Sequence, residues 1–361
     1  MTKKKVLVAM SGGVDSSVAL LKIIELGYEP IGITMKLWEY QNMGGNSVDE
    51  SNCCSVSAIN NAKLICDRLG IHHYTLDFTD IFKEAIVDNF ADEYLAGRTP
   101  NPCVRCNSFV KWDAFVEQAD ILGADYIATG HYAKTIIKNG KKLIVKSKDL
   151  SKDQSYVLWG IPSLTLERTI FPLAELTKKA VRKIARDNKF ETADIPESMD
   201  ICFIGDNNYK RFLNDYVPEK MRKVTPGEIK DENGQIVGNH TGYTNYTIGQ
   251  RKGLGLSNPE PRYVKTIDAD NNTIIVAKKK SLYSDYCFAT ETNWFINPPE
   301  EKTEMTAQIR YNSTGTLATV YKKNDRYLVK FKEPQLAATP GQSVVFYDND
   351  LLLGGGIIEI K

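Results

Sequence analysis

The sequence predicts an α/β protein: an N-terminal parallel sheet with helices on both faces, then a small mixed middle domain, then a C-terminal antiparallel β-barrel. Three observations predict it. As far as Thr129, short apolar runs alternate with longer amphipathic ones, the rhythm of strand and helix. A glycine pair, Gly12-Gly13, sits at the first turn from strand to helix. After Asp206, helical periodicity gives way to short strand-like runs punctuated by Gly, Asn, Asp and Pro.

Val6 to Met10 reads as a buried first strand and Val18 to Ile24 as the helix that follows. Glu29 to Thr34 and His73 to Asp77 are the next strands, with Ala58 to Leu69 and Asp80 to Leu95 as helices. Asn107 to Leu122 and Tyr126 to Thr129 complete the alternation. Gln41 to Ser55 is polar and too long for a plain connection, so it reads as a mobile loop. Lys134 to Ile137 and Lys142 to Val145 flank Asn139-Gly140 as a hairpin, and Lys178 to Asn188 is a basic amphipathic helix. A boundary near 207 separates a first domain (1–206) from a central one (207–280), whose Thr244 to Gly255 is a glycine-rich basic loop. The third domain (281–361) carries strand-like runs at Thr306 to Tyr311, Ala318 to Tyr321, Tyr327 to Phe331, Ser343 to Tyr347 and Gly355 to Ile360, the spacing of a small barrel.

Composition narrows the function classes. With 361 residues and 42% apolar content the chain can fill two or three cores. Lys plus Arg of 46 against Asp plus Glu of 45 means that a nucleic-acid partner must be gripped by local patches. No apolar run approaches the about 18 residues of a membrane span, so no membrane partner is expected. Lys3 to Lys5 precede only five apolar residues, too few for a secretion signal, and seven cysteines is an odd number. Both point to a reducing cytoplasm.

Ser11-Gly12-Gly13-Val14-Asp15-Ser16-Ser17 lies where strand turns into helix and reads as a nucleotide phosphate site. Glycines let backbone approach a polyanion, and the helix start supplies N–H groups and a favourable dipole. The loop lacks the Gly-Lys-Ser/Thr ending that grips a terminal phosphate, which argues against terminal phosphoryl transfer. Asp15 would repel ATP unless Mg²⁺ bridges them or its carboxylate caps the helix; Mg²⁺ is the expectation. Met35 and Gly130 end strands and stand beside the nucleotide if ligands sit at the carboxyl ends, though a core or turn role fits each equally.

Cys103 and Cys106, after Pro100 and Pro102, fall at a helix start with Arg105 and Lys111 nearby, a setting that favours thiolate. A zinc half-site and a redox pair are the competing readings of Cys-x-x-Cys. Cys202 reads as a loop or buried thiol, Cys53 and Cys54 as structural, and Cys66 and Cys287 as buried. Seven lysines and one aspartate between Lys134 and Lys152 form a patch for phosphates or a solvated hairpin. Lys152-Asp153-Gln154-Ser155-Tyr156 then offers charge, amide and ring to nucleic acid or substrate.

These motifs together resemble the MnmA tRNA-specific 2-thiouridylases. Ala9-Met10-Ser11-Gly12-Gly13-Val14-Asp15-Ser16 is similar to the PP-loop of ATP pyrophosphatases. Asn101 to Asn107, Gly130-His131-Tyr132, Lys152 to Tyr156, Ser198 to Gly205 and Gly249 to Gly253 resemble the family's own motifs. The resemblance implies that ATP adenylates the C2 oxygen of a tRNA wobble uridine and that sulfur then displaces AMP. It implies a persulfide on Cys202, charged by a sulfur-relay protein or cysteine desulfurase, and Cys106 as the nucleophilic partner, with a Cys106–Cys202 disulfide as a catalytic state. By matching position it gives Ala9 to Ser16, Met35 and Gly130 to ATP, and Asn101, Pro102 and Cys103 to the target base. His131, Lys152, Asp153, Gln154, Arg310, Tyr311 and Gln342 go to tRNA. Some members have aspartate where this chain has Cys103. That opens an alternative in which Cys103, Cys106 and Cys202 bind a [4Fe–4S] cluster. A PP-loop ligase or amidotransferase acting on a small molecule, and a non-catalytic RNA-binding protein, are the other classes.

Overall fold

A computed structural model of the chain describes residues 3–38, 56–196, 201–256 and 260–360. The loop expected at Gln41 to Ser55, with Cys53 and Cys54, and the stretch Ser198 to Asp200 lie outside the described residues. The chain divides into two compact units: Met1–Ile86, Cys103–Asn208 and Asp350–Leu352 in the first, and Val87–Pro102, Tyr209–Asn349 and Leu353–Lys361 in the second.

The first unit is built on strands β1 (Lys5–Ala9), β2 (Glu29–Lys36), β3 (His73–Asp77) and β4 (Tyr126–Ala128), a hairpin of β5 (Lys134–Lys138) and β6 (Lys141–Val145), and β7 (Thr169–Ile170). The parallel sheet runs β3-β2-β1-β4-β7. Val6, Leu7 and Val8 are consecutive and all fully buried, as a strand covered on both faces requires. Strands β2 and β4 flank β1 on opposite sides, so the winding reverses there. A crevice opens at the carboxyl ends of β1 and β4.

Helix α1 (Val14–Glu25) buries Val14, Val18 and Leu20 against this sheet, and α2 (Val56–Arg68) buries Ala58, Ala62, Ile65 and Cys66 at helical spacing. A Cβ on Gly32 would stand 2.5 Å from the Cys66 sulfur, so β2 and α2 meet closely where the glycine is. Burial pushes the Cys66 thiol up to about 12, which makes it an inert packing group. The hairpin turns at Asn139 (φ 53°) and Gly140 (φ 73°), the left-handed pair that a two-residue β-turn needs. Helix Lys178–Asp187 is capped by Thr177, whose hydroxyl accepts from the Ala180 amide at 3.2 Å.

In the second unit, β8 (Gly227–Lys230), β9 (Ile236–His240), β10 (Tyr263–Asp268) and β11 (Thr273–Ala277) form a mixed sheet ordered β10-β11-β8-β9. Its core is Ile229, Val264, Ile274 and Val276. Strands β12 (Tyr283–Trp294), β13 (Thr303–Gln308), β14 (Thr316–Lys323), β15 (Arg326–Leu336), β16 (Ser343–Asp348) and β17 (Leu351–Glu359) follow in the order β12-β15-β14-β13-β16-β17. Pairing of β12 with β17, from Phe288↔Glu359 to Trp294↔Gly354, closes them into the expected antiparallel barrel. The full length of β12 was not legible. Only Cys287 to Ala289 are buried in its middle, so most of the strand shows no two-residue alternation. Among the described residues no helix is long and apolar enough to cross a membrane.

Candidate active site

The glycine loop leaves β1 after Met10, whose amide bonds to Ile33 O at 2.8 Å and so ties the loop's start to β2. Gly12 is at φ +73°, and a Cβ there would lie 2.2 Å from the Ala58 carbonyl oxygen, so this turn admits no side chain. The Ser16 hydroxyl accepts from the Ser11 amide at 3.2 Å and donates to Gly13 O at 3.0 Å, holding the loop as a cup at the start of α1. Ser17 is fully buried; it donates to Gly13 O and accepts from Thr192, so it braces the loop from behind. Gly130, following β4, packs directly on this backbone: a Cβ would come within 2.9 Å of the Asp15 carbonyl carbon.

Around the cup is a cavity of about 210 Å³ lined by Ala9, Met10, Ser11, Asp15, Ser16, Met35, Leu37, Lys111, Thr129, Gly130, His131 and Gln154. Seven of the ten loop and strand-end positions expected to hold a nucleotide meet here; Gly12, Gly13 and Val14 shape the turn instead of lining the space, and Val14 is buried.

Asp15 neither caps α1 nor stands alone. The helix start shows no side-chain cap. Instead the Lys178 ammonium donates to both Asp15 oxygens, at 2.8 and 2.7 Å, and the Tyr132 hydroxyl donates to Oδ1 at 2.8 Å. Lys178 is buried, and its charge cancels that of Asp15 beside the glycine cup. The lysine missing from the loop is thus present in space, delivered from a helix 163 residues away. A faint signal existed. Lys178 is the first residue of its helix, where the dipole disfavours a cation.

His131, expected at tRNA, lines the cavity. Its Nδ1 shares a hydrogen bond of 2.8 Å with the Thr129 hydroxyl, and its ring lies 5.4 Å from that of Trp112. Burial, then the Lys111 charge, hold its pKa well below the ordinary 6.5, so it is a neutral imidazole. Gln154 accepts from the Tyr132 amide at 2.9 Å, and Asp153 accepts from the Ser147 and Ser155 amides; these side chains fix the segment that carries Lys152.

Helix begins at Pro102, placing exposed Cys103 in its first turn and buried Cys106 at the start of a π-helical stretch, Cys106–Ala114, that also presents Lys111 to the cavity. Single π turns recur at functional sites. Cys202 is partly exposed, and the next residue, Phe203, packs its ring against Trp38 (6.5 Å) and Phe82 (5.8 Å), Trp38 being the neighbour of cavity residue Leu37. Cys103, Cys106 and Cys202 are all unbridged. Among the described residues no three Cys, His, Asp or Glu gather closely enough to hold a metal ion. The three-cysteine cluster alternative therefore lacks its ligand arrangement here.

In the second unit, the Arg310 guanidinium donates to Leu336 O and Ala337 O, and Tyr311 is exposed. Gln342 bonds the carbonyls of Thr99 and Pro100, just before Asn101 and Pro102.

Three family models match in succession: a tRNA methyl transferase HUP domain over residues 4–206, a tRNA methyl transferase PRC-barrel domain over 210–278 and an aminomethyltransferase beta-barrel domain over 284–358. The tRNA-specific 2-thiouridylase MnmA of Carboxydothermus hydrogenoformans is 46% identical over 99% of this chain and 98% of its own length. The chain belongs to the tRNA-specific 2-thiouridylase family. The enzyme of that name from Natranaerobius thermophilus is 47% identical over the same shares. A structure described as a 4-thiouridine synthetase–RNA complex with bound ATP aligns at a TM-score of 0.35 and 16% identity, over 61% of this chain and 52% of that one, too distant to bear on the reaction. The models' descriptions speak of methyl transfer and the relatives' names of thiolation. A lysine-free glycine loop accompanied by unbridged thiols suits the second.

Proposed function

We propose that this chain is an ATP-dependent tRNA-uridine 2-sulfurtransferase. The observation that supports it best is the cavity at Ser11: a glycine cup at a helix start, with no lysine in the loop, reached by the helical stretch that begins at Cys106. Such a cup binds polyphosphate as a leaving group. In this reading the wobble uridine's C2 oxygen attacks the α-phosphorus and pyrophosphate departs with the P–O bond's electron pair. The outer sulfur of a Cys202 persulfide attacks C2 and AMP leaves. The Cys106 thiolate then attacks the Cys202 sulfur, freeing 2-thiouridine and leaving a Cys106–Cys202 disulfide for an external thiol to reduce. Those two electrons lower the sulfane sulfur to sulfide level.

Asp15 is the one acidic residue among the described residues lining the cavity, and both its oxygens already bear Lys178. With those oxygens engaged, the chain would fit Mg²⁺ only as an ion carried in on the ATP phosphates. Such an ion would supply positive charge against the pyrophosphate leaving group. Asn101, Pro102 and Cys103 take the target base; His131, Lys152, Asp153, Gln154, Arg310 and Tyr311 serve tRNA. A sulfur-relay protein or cysteine desulfurase supplies the persulfide, in a cytoplasmic setting that keeps the thiols reduced.

Mass spectrometry of tRNA nucleosides after incubation with ATP and a persulfide donor tests this. Wild type should yield 2-thiouridine, and Cys106→Ser and Cys202→Ser should not; full activity in Cys202→Ser refutes the sulfur route. Pyrophosphate release without tRNA, in the presence of an amine acceptor, would mark a small-molecule ligase instead.

A further inference from the structure

Within the second unit, a barrel loop holds the chain that runs into the proposed base-binding residues. Gln342 Nε2 lies 2.8 Å from Thr99 O and 3.0 Å from Pro100 O. Two carbonyls can accept only from the amide nitrogen, so both hydrogens of one NH₂ group clasp consecutive peptide units. The Thr99 amide donates back to Pro340 O at 3.0 Å. Gly341, between them, is at φ +87°, and a Cβ there would stand 2.9 Å from Thr99 O. The loop is itself tied to the final strand, with Gly341 N to Ile358 O at 3.1 Å and Ile358 N to Gln342 O at 2.7 Å. Arg98, just upstream, pairs through its guanidinium with Glu93 and reaches Glu359 at 3.6 Å.

We propose that Gln342 is a positioning residue: it fixes the backbone of Thr99 and Pro100, and through them Asn101 and Pro102, so that the target uridine is presented in one geometry. The role differs from a direct tRNA contact, because both donor hydrogens are already engaged within the protein. It rests on the reading of Asn101 to Cys103 as the base site.

Hydrogen exchange on the RNA-free protein separates the two roles. In Gln342→Ala, and in Gly341→Ala, which has no long side chain to offer RNA, the Thr99 amide should exchange about tenfold faster than in wild type. With saturating tRNA the thiolation rate should fall about tenfold while tRNA affinity stays within about twofold, since a misplaced base loses reactivity more than binding. Unchanged exchange at Thr99 in both variants overturns the clasp. Unchanged exchange together with weakened tRNA binding in Gln342→Ala makes Gln342 an RNA contact and also overturns it. Faster exchange with full thiolation shows a clasp that positions nothing catalytic; the same result in a variant of Asn101 would trace the failure to the base-site reading.

Discussion

Replacing Lys178 by Met keeps the length of the side chain and removes its ammonium. In the native chain that ammonium sits on both oxygens of Asp15 at 2.8 and 2.7 Å, and the Tyr132 hydroxyl donates a third hydrogen bond to the carboxylate. Breaking a buried pair costs about 3–5 kcal/mol, but the Asp15 side chain is 32% exposed, so screening reduces the expected loss of stability to about 1–3 kcal/mol. Nucleotide binding should suffer separately. One uncompensated carboxylate about 5 Å from a phosphate charge, at an effective dielectric of about 20, repels it by about 3 kcal/mol, or about a hundredfold in Kd. Calorimetric titration with ATP at fixed Mg²⁺ measures this, beside a thermal melt. The double variant Lys178→Met with Asp15→Asn lacks both charges and should recover part of the affinity, a coupling that loss of fold alone would not produce. ATP affinity within twofold of wild type in Lys178→Met would refute the charge-cancelling role of Lys178.

Gly12→Ala places a Cβ 2.2 Å from Ala58 O at φ +73°; ATP binding should be lost and stability lowered by about 2 kcal/mol or more, read by titration and melting. Trp112→Phe removes the indole donor to the Thr169 hydroxyl (2.8 Å) in a fully buried site and should cost about 1–2 kcal/mol in a denaturant titration. His131 has its folded-state pKa pushed below 6.5, whereas the unfolded chain takes up the proton at the ordinary value. The unfolded state therefore binds more protons as pH falls through about 6.5, and the stability present above that pH is lost toward the lower folded pKa. Melting between about pH 7.5 and about pH 5.5 should fall more steeply in wild type than in His131→Asn; parallel curves would remove His131 as the cause.

What could be read from the sequence was whatever local pattern carries. The β1 run, the glycine loop, the Asn139-Gly140 turn and the strand ends at Met35 and Gly130 are each set by residues within a few positions of one another. Hence the cavity's outline was legible. Its charge balance was not, since Asp15 read alone is an anion in a phosphate site that calls for a metal or a cap. Its actual partner lies 163 residues on, and Gln342 acts on carbonyls 243 and 242 residues before it. No periodicity or turn rule spans such intervals. The polar residues that sequence reading assigns most readily to ligands, Asp153, Gln154, Arg310 and Gln342, are the ones the fold engages first with its own backbone. A buried or half-buried polar group must be satisfied before RNA arrives, so a motif side chain that fixes its own loop can be as necessary to the reaction as one that touches substrate. Lys178 and Gln342 would then perform one kind of task at two places, the first keeping the phosphate cup open to a polyanion and the second holding the base-binding segment still.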